Sequence, residues 1–277
     1  MATTLSCTVF RVKKLLVLPA TLLLTGCTVM DVVGPRPNKE IMALAKQAAA
    51  DRTFSDGPAI NPWRDLRKVQ AEQLRDEALR LCGVDAHGET PSTCDVTFGD
   101  TDLPANADAE ALLHRTVLAV DNVPPESVDL VVAQAIDAVA LTPVRLESVN
   151  GELTAGDGDS DAVRAMADAE FRLQYGLSLA LAHADDGLRA RILDLRDSSR
   201  DRVTALGRLI PGGAEELVPE AGYELLVPEP ASLEEAAELV STLQRDLITQ
   251  WRSVAADAEG SDWMTAAIRL AAHAQQS

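Results

Sequence analysis

Ser232-Leu233-Glu234-Glu235-Ala236-Ala237-Glu238-Leu239-Val240-Ser241-Thr242-Leu243-Gln244-Arg245-Asp246-Leu247-Ile248-Thr249-Gln250-Trp251-Arg252-Ser253-Val254 reads as one long amphipathic helix. The opening Ser-x-x-Glu has the form of a capping box, in which each of the two side chains takes a backbone N–H that the first helical turn leaves free. Leu233, Ala236, Val240, Leu243, Leu247, Trp251 and Val254 then recur at three- and four-residue spacing, which stacks them on one face. Gly260 stops the run. Ser261 is expected to cap a following helix whose Met264, Ala267, Leu270 and Ala274 face inward.

Upstream, the same spacing predicts a helix over 161–185 with Val163, Met166, Leu173, Leu177 and Ala180 along its seam. A second, over about 187–209, carries Leu188, Ile192, Leu195, Val203 and Leu206. Short links join the first pair and the last pair, and a long proline-containing connection at about 210–231 joins the pairs to each other. An all-α, ferritin-like antiparallel four-helix bundle over 161–277 is the expected outcome. Before it, Asn61-Pro62 puts a cap residue ahead of a proline at the first helical position, and Trp63, Leu66, Leu74, Ala78 and Leu81 follow at helical spacing until Gly83. Further helices are predicted at about 38–53, 107–121 and 126–141. Val149-Asn150-Gly151-Glu152 has the composition of a tight turn. The expected organisation is a leader at 1–26, a tether at 27–40, a smaller helical region at 41–142, a linker at 143–160 and the bundle.

Leu24-Thr25-Gly26-Cys27 closes an apolar run that follows Arg11, Lys13 and Lys14. That order of basic, apolar and small residues is an export signal ending in a lipoprotein cleavage box. Cys27 is therefore the expected lipidated N-terminus, held at the outer face of the cell membrane by several acyl chains. The apolar run is shorter than the ~20 residues of a membrane-spanning helix. Cys82 and Cys94 are the pair left after Cys7 departs with the leader. In an exported chain, with a turn-rich stretch between them, they are expected to form a disulfide. Metal ligation with His87 would lack a fourth ligand. The chain carries 43 Asp+Glu against 25 Lys+Arg and only 3% aromatic residues. Loss of the basic leader makes it more acidic still. Nucleic acid is excluded as a partner, since phosphate binding needs clustered Lys and Arg.

Glu170-Phe171-Arg172-Leu173-Gln174-Tyr175-Gly176, the pair Arg200-Asp201, Tyr223-Glu224-Leu225 and Pro228-Glu229-Pro230-Ala231-Ser232 resemble an actinobacterial lipoprotein family with a C-terminal ferritin-like domain of unknown function. The resemblance covers roughly 161–277. It implies the bundle fold and supplies no activity, and Phe171 stands where such sequences often have histidine.

A di-iron centre in such a bundle would use Glu-x-x-His on two helices, a motif this sequence lacks; no metal or cofactor is expected. Asp157, Asp159 and Asp161 imitate the opening of a calcium loop, but Ala162 and Asp168 stand where glycine and glutamate belong, so a solvated linker is expected. Glu170 falls between Met166 and Leu173 on the apolar seam. Either it pairs with a cation such as Arg200 on the next helix, or it lines a polar pocket near Tyr175. No nucleophile has a recognisable setting. The expected function is binding, as an accessory or scaffold subunit for an envelope protein partner. The alternatives are a small-ligand or lipid pocket between the bundle helices, and an enzyme whose site assembles only in space.

Overall fold

The structure, a computed structural model, describes residues 34–54, 61–85, 87–98, 101–151, 153, 158–225 and 228–277. The leader at 1–26, Cys27 and the first part of the tether lie outside them, as do Glu152 and Asp157. Among the described residues the chain is all-α, with eight α-helices and no strand. They are α1 (Lys39–Asp51), α2 (Pro62–Cys82), α3 (Ala109–Ala119), α4 (Val128–Val139), α5 (Gly158–Leu181), α6 (Asp186–Gly207), α7 (Leu233–Ala256) and α8 (Ser261–Gln276). None of them is long and apolar enough to cross a membrane.

Local chemistry sets the boundaries. Asn38, Asn61, Asp108, Asp185 and Ser232 each cap a helix, their side-chain oxygens accepting backbone N–H groups of the first turn. At Ser232 the capping box forms with a displaced return contact. Ser232 Oγ accepts from Glu235 N, while the Glu235 carboxylate accepts from Ala231 N at 2.6 Å, one residue outside the cap. The predicted extension of α5 to 185 is overruled, because Asp185 caps α6 through Leu188 N. Ser261 does not cap α8. That helix starts after Gly260, which makes no side-chain cap, and the free N–H groups of Glu259 and Gly260 go instead to the two carboxylate oxygens of Asp159 at 3.0 and 2.8 Å. Asp159 is thus buried and tied across the fold, not part of a solvated linker.

That contact also sets direction. Asp159 at the start of α5 meets the end of α7, Glu170 meets Trp251, and Gly176 meets Leu243, so α5 and α7 run antiparallel in fixed register. α5 and α6 pair through one short turn, α7 and α8 through another, and α6 touches α8. The apolar seams of these helices form one core with Trp251 and Trp263 at 0% exposure. The connection from α6 to α7 is pinned to α5. Tyr223 packs on Tyr175 with ring centres 5.9 Å apart, the Arg172 guanidinium lies over the Tyr223 ring, and Leu225 approaches Gly176.

The segment 143–160 does not divide the core. α4 packs on α7 and α8, and Val132, Ala135, Ile136 and Val139 belong to the same apolar cluster as the seam of α5. Its other side, through Val131, joins a second cluster built by α1, α2 and the Cys82–Cys94 region. With apolar residues directed to both clusters, α4 is their shared wall. Cys82 and Cys94 form the expected disulfide, closing a separation of 12 residues.

Candidate functional site

Each core holds one fully buried ion pair. In the bundle, Glu170 and Arg202 are 0% and 1% exposed. Arg202 donates from Nε to Glu170 Oε1 at 2.6 Å and from Nη2 to Oε2 at 3.0 Å, the two-pronged geometry that suits guanidinium and carboxylate. Trp251 Nε1 adds a third donor to Oε1 at 2.8 Å. The remaining Arg202 nitrogen faces His273 Nδ1 at 3.2 Å and Ser277 Oγ at 3.1 Å. Arginine always donates, so Nδ1 must accept and the His273 proton sits on Nε2. Burial, then the Arg202 charge, push the His273 pKa below its ordinary value.

Arg200 is not the partner of Glu170. It is exposed and pairs with Asp197 one turn earlier on its own helix, at 2.6 Å. The physical reason is helical phase: Ile192, Leu195, Ser199, Arg202 and Leu206 share the inward face of α6, and Arg200 falls outside it. Tyr175 does not line a pocket with Glu170 either, since its ring lies against Tyr223. Beside it, a cavity of about 410 Å³ opens between α5, α7 and the crossover, walled by Arg172, Leu243, Asp246 and Gln250. Glu170, 0% exposed, does not line it.

The second pair was not expected. Asp51 and Arg67, both 2% exposed, meet at 3.1 Å. Arg67 also donates to Gln70 Oε1, Gln70 Nε2 donates to the Gln134 carbonyl at 2.9 Å, and Asp51 accepts from Asn106 N. Burial lowers the Arg67 pKa, and Asp51 opposes that change. Arg67 lies on the seam of Trp63, Ala71, Leu74 and Ala78. Its helical phase alone therefore places it inside the core.

A cleft of about 580 Å³ lies between the start of α2, the start of α3, the turn after α4 and Arg269 of α8. Trp63 forms part of its wall, fixed by its indole N–H to the Asn106 carbonyl at 2.8 Å and by the Arg67 guanidinium 5.8 Å from its ring centre. Ala138, Val139, Leu141 and Val144 are among its apolar lining residues. The turn after α4 is held at two points. Gln276 Nε2 donates to the Ala140 and Thr142 carbonyls and its Oε1 accepts from Val144 N, while Arg208 donates to the Leu146 and Val149 carbonyls. Between these clamps Arg145 stands at the rim, exposed and in no ion pair among the described residues. Arg269 reaches the cleft from α8. It binds Glu110 at 2.5 Å, and its buried Nε has no partner among the described residues. Asp108, the other acid of the wall, is committed to capping α3.

Among the described residues no three His, Cys, Asp or Glu side chains cluster in a way that would hold a metal ion. His87 keeps to its loop, where Asp85 accepts its backbone N–H. Comparison of the chain with known protein families, with curated proteins and with solved structures finds no match.

Proposed function

We propose that this chain is a lipid-anchored protein of the outer face of the cell membrane that acts by binding, as an accessory or scaffold subunit for an envelope protein. Its C-terminal half is a ferritin-like antiparallel four-helix bundle of the kind seen in the actinobacterial lipoproteins it resembles. The cleavage box ending at Cys27 supports the location. The antiparallel register of α5 and α7, two short hairpins and the long connection before Ser232 support the bundle.

The observation that carries the binding role is the use made of buried charge. Glu170–Arg202 and Asp51–Arg67 each join two helices and have their hydrogen bonds completed by neighbours. Buried pairs of that kind fix one arrangement of the helices more than they add stability. A body locked in both cores presents the same surface to every partner, which suits a scaffold.

Cys27→Ser tests the anchor, and capture tests the role. The variant should fractionate away from membranes or remain an uncleaved precursor. Cross-linking followed by capture of the wild-type chain from detergent-solubilised membranes should recover a reproducible envelope protein. A variant that fractionates and migrates as wild type does sinks the anchor, and repeated capture without a partner sinks the scaffold role.

A further inference from the structure

The cleft beside Trp63 has features that a scaffold does not require. Its walls are fixed from outside by Gln276, Arg208 and Asn106, so it is not a gap left by loose packing. Its volume of about 580 Å³ falls within the ~300–1,000 Å³ of small-molecule sites, which are mostly apolar with a few placed polar groups. This lining has that character: Trp63, Ala138, Val139, Leu141 and Val144 are apolar, and the charges stand at defined points.

The charges decide what the cleft accepts. Two acids and two arginines line it, so the formal sum is zero, but they are not equally available. Asp108 accepts two backbone N–H groups of α3, and Glu110 is held by Arg269. Arg145 is left without an ionic partner among the described residues, and Arg269 retains a buried Nε–H with no acceptor. The demand left open to the cleft is a donor, the exposed Arg145 guanidinium. The chain as a whole is strongly acidic. Exposed charges farther than about 8 Å are largely screened at physiological ionic strength, so the near groups govern recognition.

We propose that this cleft binds a small organic anion with an apolar body, the acid group at Arg145 and the body against Trp63 and Leu141. A carboxylate or a phosphate satisfies this chemistry, since each presents oxygens to a guanidinium fork. The inference does not depend on the scaffold role, because ligand uptake and partner capture use different readouts.

The test is calorimetric titration of the full lipidated chain in one detergent with three probes that share a body: 4-phenylbutyrate, 4-phenylbutanol and 4-phenylbutylamine. The acid should bind, and the amine at least about tenfold more weakly. Arg145→Glu should weaken the acid by a similar factor, and Thr142→Trp, which places an indole in the cleft, should abolish binding. Thr142 and Arg145 are both exposed, and far-ultraviolet spectra confirm that the variants are folded. Trp251 and Trp263 are fully buried in the bundle core while Trp63 lines the cleft. The acid should therefore alter tryptophan emission in wild type and not in Trp63→Phe. Absence of binding by the acid, equal binding of acid and amine, or indifference to both Arg145→Glu and Thr142→Trp overturns the proposal.

Discussion

Replacing Glu170 by alanine removes the carboxylate that holds Arg202 in the bundle core. Arg202 is 1% exposed, so its charge cannot recover hydration without opening the helices. His273 Nδ1 and Ser277 Oγ would remain as its only polar contacts among the described residues, both on one nitrogen. Trp251 Nε1 would also lose its acceptor. Breaking a buried pair from one side costs about 3–5 kcal/mol. For a body of this size 1 kcal/mol moves the melting temperature by about 2–4 °C, so Glu170→Ala should melt roughly 6–20 °C lower. Glu170→Leu combined with Arg202→Leu should recover most of the loss, because apolar packing replaces the pair and no charge is stranded. Arg200→Leu should change stability by less than about 1 kcal/mol, since its bond to Asp197 is an exposed pair within one helix. Urea unfolding of the three variants beside wild type measures all of this, and the single Leu variants complete the double-mutant cycle. A Glu170→Ala midpoint within about 1 kcal/mol of wild type would refute the reasoning. So would an Arg200→Leu loss as large as that of Arg202→Leu.

Cys82→Ser with Cys94→Ser releases a closed loop of a dozen residues and should cost about 3 kcal/mol, read by urea unfolding; an unchanged midpoint would remove the disulfide from the stability of the α1–α2 core. Asp159→Ala strips the acceptor from Glu259 N and Gly260 N and should cost about 1–3 kcal/mol, with faster amide exchange at the α7–α8 turn; unaltered exchange there would argue against the tie. His273 has a lowered pKa in the folded chain, whereas the unfolded chain takes up its proton near pH ~6.5. Its contribution is therefore complete above pH ~6.5 and declines as pH falls below it. His273→Gln should flatten the stability profile between about pH 6.5 and 5, above the carboxylate range, and an unchanged slope would disprove the assignment.

Much of the fold is legible in the sequence because most of its helices obey one rule, an apolar stripe closed by a cap. The boundaries of α2, α7 and α8 follow from Asn61-Pro62, Ser232 and Gly260. The partner of Glu170 was equally legible. Continuing the seam of Ile192 and Leu195 by four and three residues reaches Ser199 and Arg202, and leaves Arg200 off that face. Tertiary ties are of another kind. Asp159 serves a helix end about a hundred residues away, and nothing local distinguishes it from the neighbouring aspartates. The cleft is hidden for the same reason. Its walls come from four separate stretches of chain, and Arg145 matters there because of acids that other contacts have already taken.

The join between the N-terminal helices and the bundle is the step that neither pattern nor composition supplies. α4 is apolar on both sides and so satisfies two cores at once, and polar contacts hold it in place along its length. Arg252 of α7 reaches Asp137 of α4 and Gln275 of α8, while Gln275 donates to the same Asp137 carboxylate at 3.1 Å. At the next level, Arg269 of α8 holds Glu110 of α3, and Gln276 holds the turn after α4. All but the Arg252–Asp137 contact involve α8, which faces the bundle core on one side and α3 and α4 on the other. The cleft opens along that seam, with walls contributed by both parts of the chain. The N-terminal helices therefore supply most of the cleft, and Arg269 of α8 completes it.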